Sequence, residues 1–430
     1  MSTLPYPLKR NPATPVRQHV ARNVLLALLW LFGSVLVIIG ALPVLLLFIT
    51  TAVPWHLSIG LALIDVALVI ALFRRERTWS LLAGFCLGVI VVSLLAVWLS
   101  QVFAATPPIM GANGQPLPGS IATLEKVNLG GSEQWITIRG KDMRKPVLLY
   151  LGIGGPGAGG FPASALTLAP LEDHFVVVNW DQPGTGKSYH AVPISTLTVE
   201  RFIADAHELT QLLRARFQQD KIYVLGLSWG TILGIQLVQQ YPDLFYAYVG
   251  TGQMVNTTEN DVMGYQLALK ISSERNDNAT VATLHRNGPP PYSGDGMALK
   301  YAVYNNVLFR YMDSPTLGLI LLLVPQFAHE YGLVDRVNFA RGLIESFPVI
   351  YPQLRNLDFT TQAARLGVPV YFLVGRHDVN AMATLVERYY KGLQAPYKKL
   401  IWVDGGHGAN PEQIKDALVN RVLTQTPPVQ

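Results

Sequence analysis

The first hundred residues contain three long apolar runs, which predict membrane-spanning helices. Residues 24–53 and 79–103 have no charged side chain, and residues 55–73 have one. About 20 residues at 1.5 Å each cross the hydrocarbon core of a bilayer, so every run is long enough. We expect residues 24–105 to form a three-helix transmembrane region behind a cytoplasmic tail of residues 1–23.

The basic residues around these runs predict their orientation. Four precede the first run and three arginines lie within residues 74–77, whereas the loop after the first run has none. Positive side chains favour the cytoplasmic face, so the chain after residue 105 is expected outside the cytoplasm, in a multi-pass protein of the cell membrane. A cleaved signal peptide is the alternative, although its apolar segment is only about 7–15 residues long. Asp65, inside the second run, either marks an ion path or faces another helix as a partly neutralised group.

After a proline- and glycine-rich linker, residues 106–120, the pattern changes to short strands. Residues 121–128 and 134–139 flank Gly130-Gly131 and predict an antiparallel hairpin. Uniformly apolar runs then alternate with helical patterns, which is typical of a parallel sheet with helices on both faces. The predicted parallel strands are residues 146–151, 175–180, 221–225, 246–249, 368–374 and 399–403.

A long helical insertion interrupts this alternation. We expect residues 253–366 to form a helical cap on an α/β core made of residues 121–252 and 367–425. The apolar run at residues 317–324 is too short to span a bilayer, so it is expected to pack within the cap or to line a substrate cleft.

Composition and charge support this division and exclude several classes of protein. Half of the residues are hydrophobic and 14% are charged, which fits a chain partly in lipid. A single cysteine, Cys86, excludes a disulfide scaffold. Seven basic and two acidic side chains in residues 1–106 supply the whole net charge of +5, so the remainder is neutral. A neutral globular part has no electrostatic footprint for a polyanion, and no nucleic-acid partner is expected.

A glycine-serine motif stands between a predicted strand and a predicted helix. Gly226-Leu-Ser228-Trp-Gly230 directly follows the strand at residues 221–225, and a helical pattern covers residues 231–240. A strand that turns at once into a helix strains the serine backbone, and small flanking residues leave room for that turn. We therefore predict that Ser228 is a nucleophile, which needs a histidine to take its proton and a carboxylate to orient that histidine.

Asp378 and His407 follow in the required order, each just after a predicted strand. Because the carboxyl ends of parallel strands meet at one edge of a sheet, both are expected beside Ser228. We predict that His407 is the general base and that Asp378 orients it. Asp404 is an alternative acid and His377 an alternative base.

A glycine-rich turn at residues 152–157 follows another predicted strand and offers backbone N–H groups. Acyl transfer needs such donors for the developing oxyanion. We assign the oxyanion hole to the N–H groups of Trp229 and Gly155, with Gly154 as the second choice, and a plain tight turn is the alternative. The remaining histidines show no metal-ligand spacing, so neither a metal nor an organic cofactor is expected.

Residues 181–188 imitate a phosphate-binding loop because they end in Gly-Lys-Ser. However, Asp181 stands where the pattern requires glycine, and the residues after Ser188 are not helix-like. A phosphate cradle needs a helix that opens there. No nucleotide partner is expected.

Five motifs together make residues 120–420 resemble the proline iminopeptidase branch of the α/β-hydrolases. The resemblance implies a helical cap over the site and hydrolysis that releases an amino-terminal residue, often proline. Two positions depart from the family pattern, since Ile153 replaces the usual histidine and Pro183 the usual arginine. The motifs are Gly-Gly-Pro-Gly at 154–157, Asp-Gln-x-Gly-x-Gly-x-Ser at 181–188, Gly-Leu-Ser-Trp-Gly at 226–230, Gly-Arg-x-Asp at 375–378 and Gly-His at 406–407.

In that family, acidic cap residues hold the free amine of the substrate, which makes Glu259 a candidate ligand. A stabilising carboxylate at the start of a helix explains the presence of Glu259 equally well.

The sequence thus predicts a membrane-anchored serine hydrolase, an aminopeptidase that forms an acyl-enzyme. It is expected to act on a small molecule or short peptide and to contact membrane lipid through its N-terminal helices. A carboxylesterase or lipase acting on lipid-like acyl esters is the first alternative. A non-catalytic membrane protein that uses the fold to bind partners is the second.

Overall fold

A computed structural model describes residues 14–72, 79–152, 156–294 and 296–426. The chain divides into two compact units, Met1–Phe103 and Ala104–Gln430. The basic residues of the tail and of the segment 74–77, on which the predicted orientation depends, lie outside the described residues or carry side chains that are not described.

The first unit contains three helices, Thr14–Thr50 (α1), Trp55–Leu72 (α2) and Trp79–Val102 (α3). Helices α1 and α3 approach each other closely at Gly40, where a Cβ atom would overlap Val89, and Ser93 Oγ donates to the Gly40 carbonyl at 2.6 Å. Glycine is required at this crossing because the neighbouring helix occupies the space of a side chain.

Two of these helices are long and apolar enough to cross a membrane, judged by length and composition. The qualifying segments are Asn23–Thr50 and Ala83–Val102, whereas Trp55–Ala71 in α2 is a shorter apolar stretch. The prediction of three spans therefore has support from two helices among the described residues. Helices of this kind also occur in soluble cores and in signal sequences, so their support for a membrane anchor is weak by itself.

The second unit is built on one eight-stranded sheet in the order β1-β2-β4-β3-β5-β6-β7-β8. Strands β1 and β2 form an antiparallel hairpin, β2 pairs antiparallel with β4, and all later neighbours pair in parallel. This sheet confirms the predicted α/β class. The strands are Ile121–Leu129 (β1), Ser132–Gly140 (β2), Val147–Leu151 (β3), Val176–Asp181 (β4), Ile222–Leu227 (β5), Phe245–Thr251 (β6), Val370–Gly375 (β7) and Lys398–Val403 (β8).

The central strands are apolar throughout because both faces of the sheet are covered. In β3, Leu149 faces one hydrophobic core and Leu148 and Tyr150 face the other, and all are fully buried. Alternating side chains of a strand point to opposite faces, so a strand covered on both sides is mostly apolar. The uninterrupted apolar runs of the sequence follow from this packing.

Between β6 and β7 the chain forms a layer of helices over the carboxyl edge of the sheet, and we call residues 253–366 the cap. The cap has its own hydrophobic core, which includes Tyr265, Ile271, Leu284 and Leu308. Helices of the core are Val199–Phe217 (α4), Trp229–Gln240 (α5), Ala383–Gly392 (α13), Pro411–Asp416 (α14) and Leu423–Gln425 (α15), and those of the cap are Thr257–Glu274 (α6), Asn278–Asn287 (α7), Met297–Tyr311 (α8), Leu317–Leu323 (α9), Leu333–Arg341 (α10), Phe347–Ile350 (α11) and Phe359–Gln362 (α12).

The cap meets the core through backbone contacts that leave no room for side chains. A Cβ atom on Gly342, just after α10, would overlap the carbonyl oxygen of Gly157, and it would lie 2.8 Å from the carbonyl oxygen of Gly184. Ser346 Oγ also donates to the Gly184 carbonyl at 2.9 Å. The second half of the cap is therefore in direct contact with two loops at the carboxyl edge of the sheet.

Candidate active site

Ser228 occupies a strained turn between β5 and α5. Its φ of 53° and ψ of −117° place a non-glycine residue in the left-handed half of backbone space, where side chains are unfavourable. The Ser228 N–H donates to the Thr251 carbonyl at 3.1 Å, and the Ser228 carbonyl accepts from Thr231. Both backbone groups of the serine are thus fixed, as the sequence motif predicts for a turn that presents Oγ at the sheet edge.

The flanking glycines are required by the neighbouring backbone. A Cβ on Gly230 would overlap the Leu151 carbonyl of β3, and one on Gly226 would lie 2.7 Å from the Gly230 carbonyl. Close approach of α5 to β3 and β5 therefore excludes side chains at both positions, which explains the spacing of the motif in this chain.

Asp378 and His407 lie in contact at the ends of β7 and β8. His407 Nδ1 is 3.1 Å from Asp378 Oδ2 and 3.2 Å from Oδ1. Asp378 is 4% exposed, and its Oδ1 also accepts the N–H groups of Asn380 and Ala381 at 2.9 Å each. The carboxylate is thus held by the backbone and directed at one nitrogen of the imidazole.

The imidazole of His407 lies against Gly252, next to the residue that binds the Ser228 backbone. A Cβ on Gly252 would be 2.8 Å from His407 Cε1, and Thr251 accepts the Ser228 N–H. His407 Nε2 is buried and has no hydrogen-bond partner among the described residues. The structure therefore brings Ser228, His407 and Asp378 to the same sheet edge, and no hydrogen bond joins the Ser228 side chain to His407 Nε2 among the described residues.

The two alternative residues of the sequence analysis lie elsewhere. Asp404 has a side chain that is 93% exposed and faces Arg376 at 3.4 Å. His377 is an exposed loop residue whose N–H donates to the Gly405 carbonyl. Neither contacts His407 or Asp378 through a described side-chain hydrogen bond, so Asp378 and His407 are the better pair.

Of the two predicted oxyanion donors, one is described. Gly155, the second-choice donor Gly154 and Ile153 lie outside the described residues. Trp229 is the first residue of α5, and the first N–H groups of a helix have no partner within it. Its indole Nε1 donates to Gln182 Oε1 at 2.9 Å, which anchors the tryptophan beside Ser228. Sequence reasoning did not assign a role to Gln182, although it lies in the Asp-Gln motif.

A cavity of about 150 Å³ opens beside Ser228 and Trp229. The cap supplies most of its lining, and the core adds Pro156, Ile232 and Asn380. Most of the surface is apolar or aromatic, and the polar groups that face it include Asn260 and Asp261. The other cap residues that line it include Tyr301, Tyr304, Phe309, Leu317, Leu343, Phe347 and Tyr351.

Asp261 is a buried carboxylate in this cavity, only 3% exposed. It accepts hydrogen bonds from Tyr351 Oη at 2.8 Å and Tyr304 Oη at 3.1 Å, and also from Tyr301. Burial raises the pKa of Asp261 to about 7, because removal from water disfavours the charged form more than the tyrosine hydroxyls favour it. No basic side chain is among the described hydrogen-bond partners of Asp261, so the carboxylate can accept a cationic ligand.

Glu259, the sequence candidate for such a ligand, does not line this cavity. Its carboxylate pairs with Arg388 on the surface, where the two side chains are 38% and 50% exposed. The difference follows from helix geometry, since Asp261, Tyr265, Ala268 and Ser272 form the buried face of α6. The spacing of three and four residues along that face is the signal that would have selected Asp261 from the sequence.

Lys187, in the loop that resembles a phosphate-binding loop, forms an ion pair and a hydrogen bond within the protein. Its Nζ binds Asp335 of α10 at 2.8 Å, with both side chains buried, and its N–H donates to Asp181 Oδ2. Asp181 also accepts from Tyr331 Oη at 2.8 Å. These contacts join β4 to the cap. Among the described residues, no group of three His, Cys, Asp or Glu side chains could hold a metal ion.

The sheet order and the sequence relationships place this chain in the α/β-hydrolase fold family. A family model described as the alpha/beta hydrolase fold matches residues 145–280. A probable aminopeptidase of Bacillus subtilis (strain 168) is 31% identical over 305 residues, which cover 70% of this chain and 94% of that protein. The chain therefore belongs to this family and is a homologue of aminopeptidases.

Two further proteins are similar to this chain at lower identity. A proline iminopeptidase of Heyndrickxia coagulans is 24% identical over 256 residues, which cover 59% of this chain and 82% of that protein. Among solved structures, a proline iminopeptidase-related protein from Thermus thermophilus is similar with a TM-score of 0.49 and 20% identity, covering 71% of this chain and 98% of that one. The predicted resemblance to proline iminopeptidases is thus confirmed at the level of homology by the sequence relatives.

Proposed function

We propose that this protein is a membrane-anchored serine aminopeptidase that works through an acyl-enzyme. The observation that carries the proposal is the buried carboxylate of Asp261 in the cavity that Ser228 also lines. A negative group in an apolar cavity, without a basic partner among the described hydrogen bonds, is suited to the ammonium group of a substrate. The homologous aminopeptidases support the same substrate class.

The mechanism uses the residues at the sheet edge. Ser228 Oγ attacks the substrate carbonyl carbon while His407 Nε2 takes the hydroxyl proton. Asp378 holds the Nδ1 proton and stabilises the imidazolium. The N–H groups of Trp229 and Gly155 stabilise the oxyanion. His407 then returns the proton to the leaving amine. Water next attacks the acyl carbon while His407 takes its proton, and His407 passes that proton to Ser228 Oγ as the acyl-enzyme is hydrolysed.

The place of Asp261 in the cavity that Ser228 lines accounts for the removal of one terminal residue. If Asp261 binds the ammonium group, the amino terminus of the substrate lies inside the cavity. The first peptide bond is then the one presented to Ser228. Tyr304 and Tyr351 hold the carboxylate in place for this purpose.

Replacing Asp261 with asparagine tests this proposal in the full-length protein. We expect kcat/KM for a prolyl arylamide with a free amine to fall about 10- to 100-fold, the value of one or two charge-assisted hydrogen bonds. The matched control is Glu259→Gln, two residues earlier on α6, which removes an exposed ion pair and should leave kcat/KM unchanged. An equal loss in both variants, or none in Asp261→Asn, contradicts the role of Asp261.

The pH dependence supplies a second readout. Because the pKa of Asp261 is raised to about 7, the carboxylate is charged above that pH and neutral below it. The KM of the arylamide should therefore rise as the pH falls through about 7, while a free α-amino group loses its charge above about 8. In Asp261→Asn the rise of KM near pH 7 should disappear. A KM that stays constant in the wild-type protein would exclude an ionic contact.

A carboxylesterase acting on lipid-like acyl esters is the second candidate. The apolar lining formed by Leu317, Leu343 and Phe347 favours it, because an acyl chain gains from burial in such a surface. N-acetylation of the arylamide separates the two functions. Loss of cleavage on acetylation supports the aminopeptidase, and cleavage of short acyl esters alone supports the esterase.

We also propose that α1 and α3 anchor the chain in the cell membrane, with α2 between them as a third, shorter span, and with the hydrolase unit outside the cytoplasm. The apolar length of Asn23–Thr50 and Ala83–Val102 supports anchoring, and the basic residues of the tail and second loop support the orientation. A reporter enzyme fused after residue 430 should be active only when the reporter works outside the cytoplasm. Activity of a cytoplasmic reporter at that position would reverse the orientation.

A further inference from the structure

The cap carries an exposed apolar surface on two adjoining segments. In α9 and the turn after it, Leu319, Leu322, Leu323 and Phe327 are each about half exposed or more. Val337 of α10 is 58% exposed. We call these five residues the cap patch. Scattered exposed leucines are common, whereas a cluster on neighbouring elements marks an interaction surface.

The patch is the outer face of an amphipathic layer. The inner face of this layer packs against the rest of the hydrolase unit. Leu321 and Val324 pack against the small core formed by Phe161, Tyr331 and Phe339, and Leu317 lines the cavity beside Ser228. The outward leucines therefore do not belong to the substrate site. Their exposure costs stability in water, so a covering partner is expected.

The chain that leaves the N-terminal helices is fastened beside this patch. Arg139 Nη1 donates to Thr106 Oγ1 at 2.7 Å and to the Pro107 carbonyl at 2.6 Å. Thr106 also hydrogen-bonds the side chain of Glu330, and Glu330 is only 3% exposed. Glu330 lies between Phe327 and α10, in the middle of the cap patch in sequence.

Chain connectivity then limits how far the patch can be from a bilayer. Helix α3 ends at Val102, and Thr106 is the fourth residue after it. Four residues span at most about 14 Å. If α3 spans a membrane, Thr106 must remain within that distance of the end of the span, and the Glu330 side chain is hydrogen-bonded to Thr106.

We propose that the cap patch docks into the surface of the lipid bilayer that holds α1 and α3. This inference rests on the membrane anchoring proposed above. Apolar side chains of an interfacial helix enter about 5–10 Å into the boundary between headgroups and acyl chains, which suits the short, outward-facing α9. Docking would place the wall of the substrate cavity at Leu317 against the lipid surface.

The test uses the full-length chain and its single cysteine. Cys86→Ser provides a background without cysteine, into which Leu322→Cys is introduced and labelled with an environment-sensitive fluorophore. The matched control is Leu299→Cys, since Leu299 is 74% exposed but lies in the first turn of α8, at the end remote from α9. Both are reconstituted in phosphatidylcholine vesicles with and without nitroxide quenchers near the top of the acyl chains.

We expect the label at position 322 to be blue-shifted and to lose about half of its emission to the quencher lipids, while the label at 299 is unaffected. Adding Leu323→Asp to the Leu322→Cys protein should abolish the quenching. A protein that floats with the vesicles but is not quenched at 322 refutes docking and leaves anchoring intact. A blue shift without quenching indicates a protein partner, such as a second copy, and also refutes docking. A protein that does not float with the vesicles refutes anchoring and docking together.

Discussion

Replacing Ser228 with alanine is expected to lower kcat by about a million-fold, on any substrate that the enzyme cleaves. The alanine removes the hydroxyl that forms the acyl-enzyme in the proposed mechanism, and no other described hydroxyl occupies the strained turn between β5 and α5. What remains is the contribution of the oxyanion donors and of substrate binding. Single-turnover kinetics with the prolyl arylamide and a short acyl ester would measure the loss.

The same variant should fold and bind normally. The backbone bonds of Ser228 to Thr251 and Thr231 do not depend on the hydroxyl, so the thermal midpoint should stay close to that of the wild-type protein. Binding of a free-amine inhibitor should also persist, because Asp261 is unchanged. Turnover within tenfold of wild type in Ser228→Ala would exclude the proposed nucleophile, whichever substrate class is correct.

Replacing Asp378 with asparagine is expected to lower kcat by about ten-thousand-fold. The side-chain oxygen that accepts from Asn380 and Ala381 should remain there, which turns the new amide NH2 toward His407 Nδ1. A donor at that position makes Nδ1 the acceptor and puts the imidazole proton on Nε2. Nε2 can then no longer accept the proton of Ser228.

The alternative acid provides the matched control. Asp404→Asn alters an exposed carboxylate that faces Arg376, so kcat should remain within about twofold of wild type, as for most surface ion pairs. Comparable losses in the two variants, or a larger loss in Asp404→Asn, would assign the orienting role to Asp404. Equal thermal midpoints are needed for the comparison to report on catalysis.

The sequence predicted the sheet well because its signals are local. All eight predicted strands are present with shifts of a few residues at their ends, since a strand buried on both faces is mostly apolar along its length. The turn at Ser228 was predictable from a short motif, in which Gly226 gives space to the backbone of α5 and Gly230 to the Leu151 carbonyl of β3. The contact between Asp378 and His407 followed from the rule that strand ends meet at one edge.

The cap was less predictable because its contacts depend on tertiary packing. Glu259 and Asp261 are both acidic residues in the first two turns of α6. The helical spacing favours Asp261 for the buried face, but its contacts with Tyr304 and Tyr351, 43 and 90 residues away, do not follow from that spacing. Trp229 and Gln182 are 47 residues apart, and no local pattern joins them. The number of membrane spans also depends on surroundings that hydropathy alone does not specify.

The contacts of Gly342 limit how substrate can enter. Carbonyl groups of Gly157 and Gly184 fill the space beside its Cα, and at the other end of the cap Asn260 bonds the Asn380 carbonyl and the Met382 N–H of the core. Because the cap is held to the core at both ends, it cannot open by a rigid-body rotation about one end. Substrate should therefore reach Ser228 through local opening of α8 and α9, and amide hydrogen exchange should be faster in these helices than in α6 and α10. Turnover would then be limited by the rate of that opening whenever the chemical steps are faster than the opening.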